Sequence, residues 1–206
     1  FLVERIKYKV FALDYRKAPQ NKVPLALEDA FEAIRFLKNH GYSEQNIVLL
    51  GDSAGAHLAA SLSFELYRSD EFESPCLQFL IYPMISPSLE FESMHLYAEN
   101  FLLTKDAMRW FWKQFIDEQS TTTSYDLLQQ KFIPDKDFNC KTVIITAGFD
   151  PLCDEGEAYA SKLHNAGFYL KQLHYPSLFH GFISISLLRT ARRAMEDMID
   201  TLKKEL

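Results

Sequence analysis

Positive charge is in deficit in this 206-residue chain: 22 lysines and arginines face 28 aspartates and glutamates, a net charge of −6. No basic patch is expected at that balance, which sets nucleic acid aside as a partner. Long apolar runs are missing too. None approaches the ~20 residues that cross a bilayer, so no membrane span is expected. No signal peptide is expected at Phe1. Cysteine is sparse and odd in number. Cys76, Cys140 and Cys153 show no metal-ligand spacing, so no metal is expected, and they read as free thiols of a reducing, cytoplasmic compartment. Repeats and low-complexity tracts are absent. What is there is a globular balance, 48% hydrophobic and 24% charged, enough for one large domain or one domain with an insertion.

The most informative stretch is Gly51-Asp52-Ser53-Ala54-Gly55. It follows the apolar run Ile47-Val48-Leu49-Leu50 and opens a helical pattern over residues 56–67. Strand, tight turn with a serine at its tip, then helix is the context of a nucleophile elbow. Such a turn strains the serine backbone, so small residues are expected at both Gly51 and Gly55. It also aims the unpaired N–H groups of the helix start at the serine.

Strands and helices alternate along the rest of the chain. Residues 1–6 read as the end of a helix and 8–14 as a strand. A helix begins at Val23-Pro24, with Leu27, Ala30, Phe31 and Ile34 on one face, and ends at His40-Gly41. Strands are expected over 76–82, 142–148 and 169–175, the last near a sheet edge because its polarity is mixed. Helices are expected over 154–166 and 184–206. Between strands, residues 84–131 depart from the pattern. Polar loops there bracket one strong helix over 104–118, with Met108, Phe111, Trp112, Phe115 and Ile116 at the helical period and Thr104 as its cap. The segment has the character of an inserted lid, which divides the chain into a core over 1–83 and 132–206 and a lid over 84–131. The class is α/β with a mainly parallel sheet.

An activated serine needs a base, and the base an orienting carboxylate. In a parallel sheet such groups belong on loops after the carboxyl ends of strands. Asp150 follows the strand at 142–148, and His180 the strand at 169–175. Ser53, Asp150 and His180 then stand at three strand ends in the order serine, acid, base. Ala54 N–H is the expected oxyanion donor. His57, one turn past Ser53 on a helix leading away, reads as a packing or surface residue. Asp52 reads as a structural hydrogen-bond partner, and Asp154 and Glu155 as helix N-terminal acids. Phe91, Phe101, Leu102, Trp110 and Phe179 are candidates for an apolar substrate pocket, or simply for the core.

These motifs together resemble the hormone-sensitive lipase-like family of α/β-hydrolase esterases. The resemblance rests on Asp14-Tyr15-Arg16-Lys17-Ala18-Pro19 with Pro24 and Asp29, on the elbow, on Asp150-Pro151-Leu152-Cys153-Asp154-Glu155-Gly156, and on His180-Gly181-Phe182. Glu99-Asn100-Phe101-Leu102-Leu103-Thr104 is similar to the family's lid. The resemblance implies an α/β-hydrolase fold and hydrolysis of small-molecule carboxylic esters with short to medium acyl chains. It implies no cofactor, a triad of Ser53, Asp150 and His180, and a homodimer as a plausible assembly. Gln20, Cys153 and Ala56 stand where the family commonly has Glu, Arg and Gly.

One departure is larger. The family's His-Gly-Gly-Gly loop, which completes the oxyanion hole, does not occur in these 206 residues. The early strands are missing as well, so the expected sheet has a gap between residues 8–14 and 46–50. Because Phe1 falls inside an expected helix, the numbered chain is expected to be part of a longer protein. Two other functional classes stay open: a truncated or non-catalytic ligand-binding or scaffold member of the fold, and a serine amidase or peptidase.

Overall fold

The computed structural model describes residues 2–117, 125–132 and 138–206. Four strands, β1 (Val48–Asp52), β2 (Leu77–Ile81), β3 (Lys141–Phe149) and β4 (Leu170–Phe179), form one sheet in that order. Every pairing is parallel. Among the described residues seven α-helices accompany them: α1 (Leu2–Arg5), α2 (Leu25–Asn39), α3 (Ala54–Arg68), α4 (Glu92–Leu96), α5 (Lys105–Phe115), α6 (Cys153–Asn165) and α7 (Arg189–Glu205).

Alternate strand residues explain the layering. Leu77, Phe79, Ile81, Val143, Ile145 and Ala147 face one side, where α7 contributes Ala191, Ala194, Met198 and Leu202. Leu80 and Ile144 face the other, against Ala56, Ala59 and Ala60 of α3 and Tyr159, Ala160 and Leu163 of α6. All five residues of β2 are buried. Four of them are apolar, as a parallel strand covered on both faces requires, and the fifth, Gln78, donates to Thr142 Oγ1 at 2.8 Å. The expected edge position of β4 is observed.

Residues 8–14 are not a strand. A strand needs a ladder partner, and the outer edge of β1 lies across a groove of about 1160 Å³ from them. That groove is walled by residues 6–13, by Ala30, Ile34 and Leu37 of α2, and by Val48, Leu49 and Leu50. Tyr8, Val10, Phe11 and Leu13 remain exposed. Their local anchors are Tyr42, which accepts from Lys9 Nζ at 2.8 Å and meets the Phe11 ring edge-on.

Other boundaries move for local reasons. The closing helix begins at Arg189, because a short 3-10 turn at Phe182–Ser184 intervenes. Leu188 is therefore outside it and partly exposed rather than inward. α5 is capped by the Thr104 hydroxyl, which accepts from Ala107 N–H at 3.1 Å. Met108 and Trp112 are buried, but Phe111 is exposed. α5 stops at Phe115, short of the expected end, because the chain turns extended at Ile116 (φ −92°, ψ 139°); Glu118 itself lies outside the described residues. The 84–116 stretch builds its own cluster of Met84, Met94, Leu103, Met108 and Trp112, closed by Leu152 from the core.

Candidate active site

Parallel strands deliver their carboxyl ends to a single edge of the sheet. Ser53 follows β1, Tyr82 follows β2, Asp150 follows β3 and His180 follows β4. The topology therefore gathers four residues separated by up to 127 positions.

At the first strand end the turn is sharp. Ser53 has φ 53° and ψ −117°, in the left-handed half of backbone space that non-glycine residues rarely enter. Its N–H is held by Ile81 O at 2.9 Å, and its carbonyl accepts from His57 N–H at 3.1 Å. Gly51 makes the turn possible: a Cβ there would sit 2.2 Å from Gly55 O. Gly55 is different from the expectation, since a Cβ on it would meet nothing within 4 Å. Ala54 is the first residue of α3. Helix geometry leaves its N–H without an intrahelical partner, at the positive end of the helix dipole.

The other two residues converge on the hydroxyl. His180 Nε2 lies 2.9 Å from Ser53 Oγ, and His180 Nδ1 lies 2.8 Å from Asp150 Oδ2. Asp150 is fully buried. Its other oxygen accepts from Leu152 N–H at 2.9 Å, and its carbonyl from Cys153 N–H at 3.0 Å. The carboxylate thus has a fixed orientation. Close approach of β3 and β4 aligns acid and base: a Cβ on Gly148 would lie 2.3 Å from Pro176 O. The arrangement can withdraw a proton from the serine and stabilise the resulting imidazolium.

One residue that supports this geometry carries no motif signal. Tyr82, with φ 35°, lays its ring against His180 with centroids 4.5 Å apart, and its hydroxyl donates to Asp52 Oδ2 at 3.3 Å. Burial and the neighbouring Asp52 raise its pKa, so it stays neutral. Asp52 has the structural role expected for it. Glu155 is fully buried and accepts from Ile85 N–H at 2.7 Å. Burial raises its carboxyl well above the usual range. Asp154 accepts from Ser93 N–H at 2.7 Å. Both acids therefore tie the 84–93 stretch to the loop after Asp150, in addition to sitting at a helix start.

The rivals fall away on local grounds. His57 is buried, its Nδ1–H donates to Met84 O at 2.9 Å, and Trp112 and Phe115 pack on it edge-on. Burial lowers its pKa to about 4, which keeps it neutral. The Cys153 thiol is pushed up to about 12 by burial and by Glu157, Asp154 and Asp150, so it is no nucleophile at neutral pH.

The five pocket candidates are spread. Leu102 reaches Gly181, next to His180, coming within 3.1 Å of where a Cβ would be. Phe101 stacks on Phe149, next to Asp150, at 5.8 Å. Phe179 is half-buried before His180. Phe91 packs with Met84, Met94 and Leu152. Trp110 is 56% exposed and pairs with Phe111 on the outer side of α5, so the fold does not bring it to the others. Among the described residues no helix is long and apolar enough to cross a membrane.

A parallel sheet with a serine elbow at one strand end and its acid and base at the next ends defines an α/β-hydrolase. A profile of the alpha/beta hydrolase fold matches residues 1–184, and the chain belongs to that family. It is 32% identical to the carboxylic ester hydrolase LipN of Mycobacterium tuberculosis, over 96% of this chain and 55% of LipN. It is 31% identical to the ethyl acetate hydrolase of Pseudomonas putida, over 96% of this chain and 63% of that one. Among solved structures, the ester-hydrolase EH1AB1 from the metagenome of Lake Arreo superposes with a TM-score of 0.82 at 31% identity, over 91% of this chain and 61% of that one. It was solved in complex with a derivative of bipyridine phosphonate. The chain thus spans between half and two-thirds of the length of these relatives.

Proposed function

We propose that this protein hydrolyses small carboxylic esters through an acyl-enzyme on Ser53. The observation that carries the reading is the unbroken hydrogen-bonded line from Ser53 Oγ through His180 to buried Asp150, 2.9 and 2.8 Å long. Ser53 Oγ attacks the ester carbonyl as His180 Nε2 takes its proton. The C–O bond to the alcohol breaks, and His180 returns the proton to that alcohol. Water repeats the sequence on the acyl-serine and releases the acid. Asp150 holds the tautomer with Nε2 free to accept and stabilises the imidazolium. Ala54 N–H donates to the developing oxyanion, a contact worth about 3 kcal/mol in the transition state. The family resemblance implies a second oxyanion donor from a His-Gly-Gly-Gly loop, a motif that does not occur in these 206 residues.

The 84–131 segment acts as a lid in this reading, with Leu102 against Gly181 beside His180 and Phe101 on Phe149 beside Asp150; short to medium acyl chains would lie against them and Phe179. The names of LipN and the ethyl acetate hydrolase favour esters over amides. Serine chemistry is shared by the two substrate classes, so turnover decides. A p-nitrophenyl ester is expected to be hydrolysed and its matching p-nitroanilide at least a hundredfold more slowly, with both lost in Ser53→Ala. Equal rates would assign an amidase, and undiminished ester turnover by Ser53→Ala would remove the serine from the mechanism.

A further inference from the structure

One cluster takes no part in the proposed hydrolysis. Cys153, Glu157 and His174 offer a thiol, a carboxylate and an imidazole whose ligand atoms all lie within 4.8 Å of one another, the one such group among the described residues. The sequence hides it. Cys153 and Glu157 are one turn apart on α6, but His174 comes from β4, 21 positions beyond Cys153. Parallel pairing sets Thr146 beside His174, so both project to the face that α6 covers. There the Thr146 hydroxyl meets His174 Nδ1 at 2.9 Å and orients the ring toward α6.

We propose that Cys153, Glu157 and His174 form a binding site for a zinc-class divalent cation. The distances suit it. Zinc bonds of about 2.3 Å to sulfur and 2.0–2.1 Å to nitrogen or oxygen put tetrahedral ligands roughly 3.3–3.6 Å apart. Cys153 Sγ is 3.8 Å from Glu157 Oε1, and His174 Nδ1 is 3.7 Å from the same oxygen. Two edges of the tetrahedron are therefore nearly in place before any metal arrives. Mixed sulfur, nitrogen and oxygen donors select a borderline cation over calcium or magnesium. Cys153 is buried while Glu157 and His174 are partly open to solvent, which gives an entry path and room for water as the fourth ligand. Coordination replaces the thiol S–H bond with an S–metal bond and releases one proton to solvent. The Thr146 hydroxyl contacts His174 Nδ1 and is displaced when the ion takes that nitrogen's lone pair. The bound ion would staple α6, which starts three residues after Asp150, to β4, which ends just before His180.

Cobalt(II) reports such a site without reference to ester turnover. Titrating the purified protein with Co²⁺ is expected to give a one-to-one complex with a near-ultraviolet thiolate-to-cobalt charge-transfer band and strong visible absorption of a four-coordinate ion, both bleached by Zn²⁺. Cys153→Ser abolishes the charge-transfer band, and Cys76→Ser leaves it. Glu157→Gln and His174→Gln each weaken binding about tenfold or more. Their side chains are partly solvent-exposed, so these variants keep the fold and the comparison stays decisive. No charge-transfer band at millimolar cobalt overturns the proposal. So does a band that survives Cys153→Ser, or one indifferent to both Glu157→Gln and His174→Gln.

Discussion

Asp150→Asn is expected to lower kcat for ester hydrolysis by about 10⁴-fold while changing KM little, a magnitude set by the same change in other serine–histidine–aspartate enzymes. The effect runs through one hydrogen. Asp150 Oδ2 accepts from His180 Nδ1, which leaves Nε2 bare and 2.9 Å from Ser53 Oγ. An asparagine amide can present N–H in place of that oxygen. The ring then carries its proton on Nε2, where it faces Ser53 and cannot accept. The fold should survive, because the asparagine oxygen still accepts from Leu152 N–H. A melting temperature within a few degrees of the parent, with the kcat loss, is the expected pair of results. A loss under tenfold would mean that His180 is oriented by something other than Asp150.

Gly51→Ala is expected to be the most damaging small substitution in the chain. Its Cβ would lie 2.2 Å from Gly55 O, 2.3 Å from Gly55 C and 2.6 Å from Ala56 N. All three are backbone atoms at the first turn of α3, so no side chain can swing aside. Either the elbow opens or α3 shifts against Leu80 and Ile144, and the loss should reach about 4 kcal/mol or more, or abolish folding. Gly55→Ala is the control. With open space around it and a position inside α3, it should be neutral or stabilising by up to about 1 kcal/mol. Urea unfolding of the two variants checks the contrast. Gly51→Ala within 1 kcal/mol of the parent would mean that the turn is not sterically locked.

The same pair of glycines shows how far the sequence carries. Gly-x-Ser-x-Gly announces the elbow, yet treats Gly51 and Gly55 alike; only the approach of α3 to the end of β1 separates them. Ser53, Asp150 and His180 were legible because each follows an apolar strand, and parallel strands must deliver their ends to one edge. Tyr82 was not, since its role depends on β2 lying between β1 and β3, an order that no local pattern encodes. Asp154 and Glu155 read as helix-start acids, because their real partners, Ser93 and Ile85, sit some 60 to 70 positions upstream. Residues 8–14 read as a strand from composition alone, but a ladder needs a neighbour, and a groove stands where one would be. The Cys153, Glu157 and His174 cluster escaped for the same reason as Tyr82: its third member arrives through sheet register.

The central claim is that Ser53 is a nucleophile activated by His180. Treating the folded protein with a fluorophosphonate, then locating adducts by peptide mass spectrometry, tests it directly. The predicted result is a single adduct on Ser53, lost in His180→Ala. No adduct on folded protein, or one that forms equally well without His180, would contradict it.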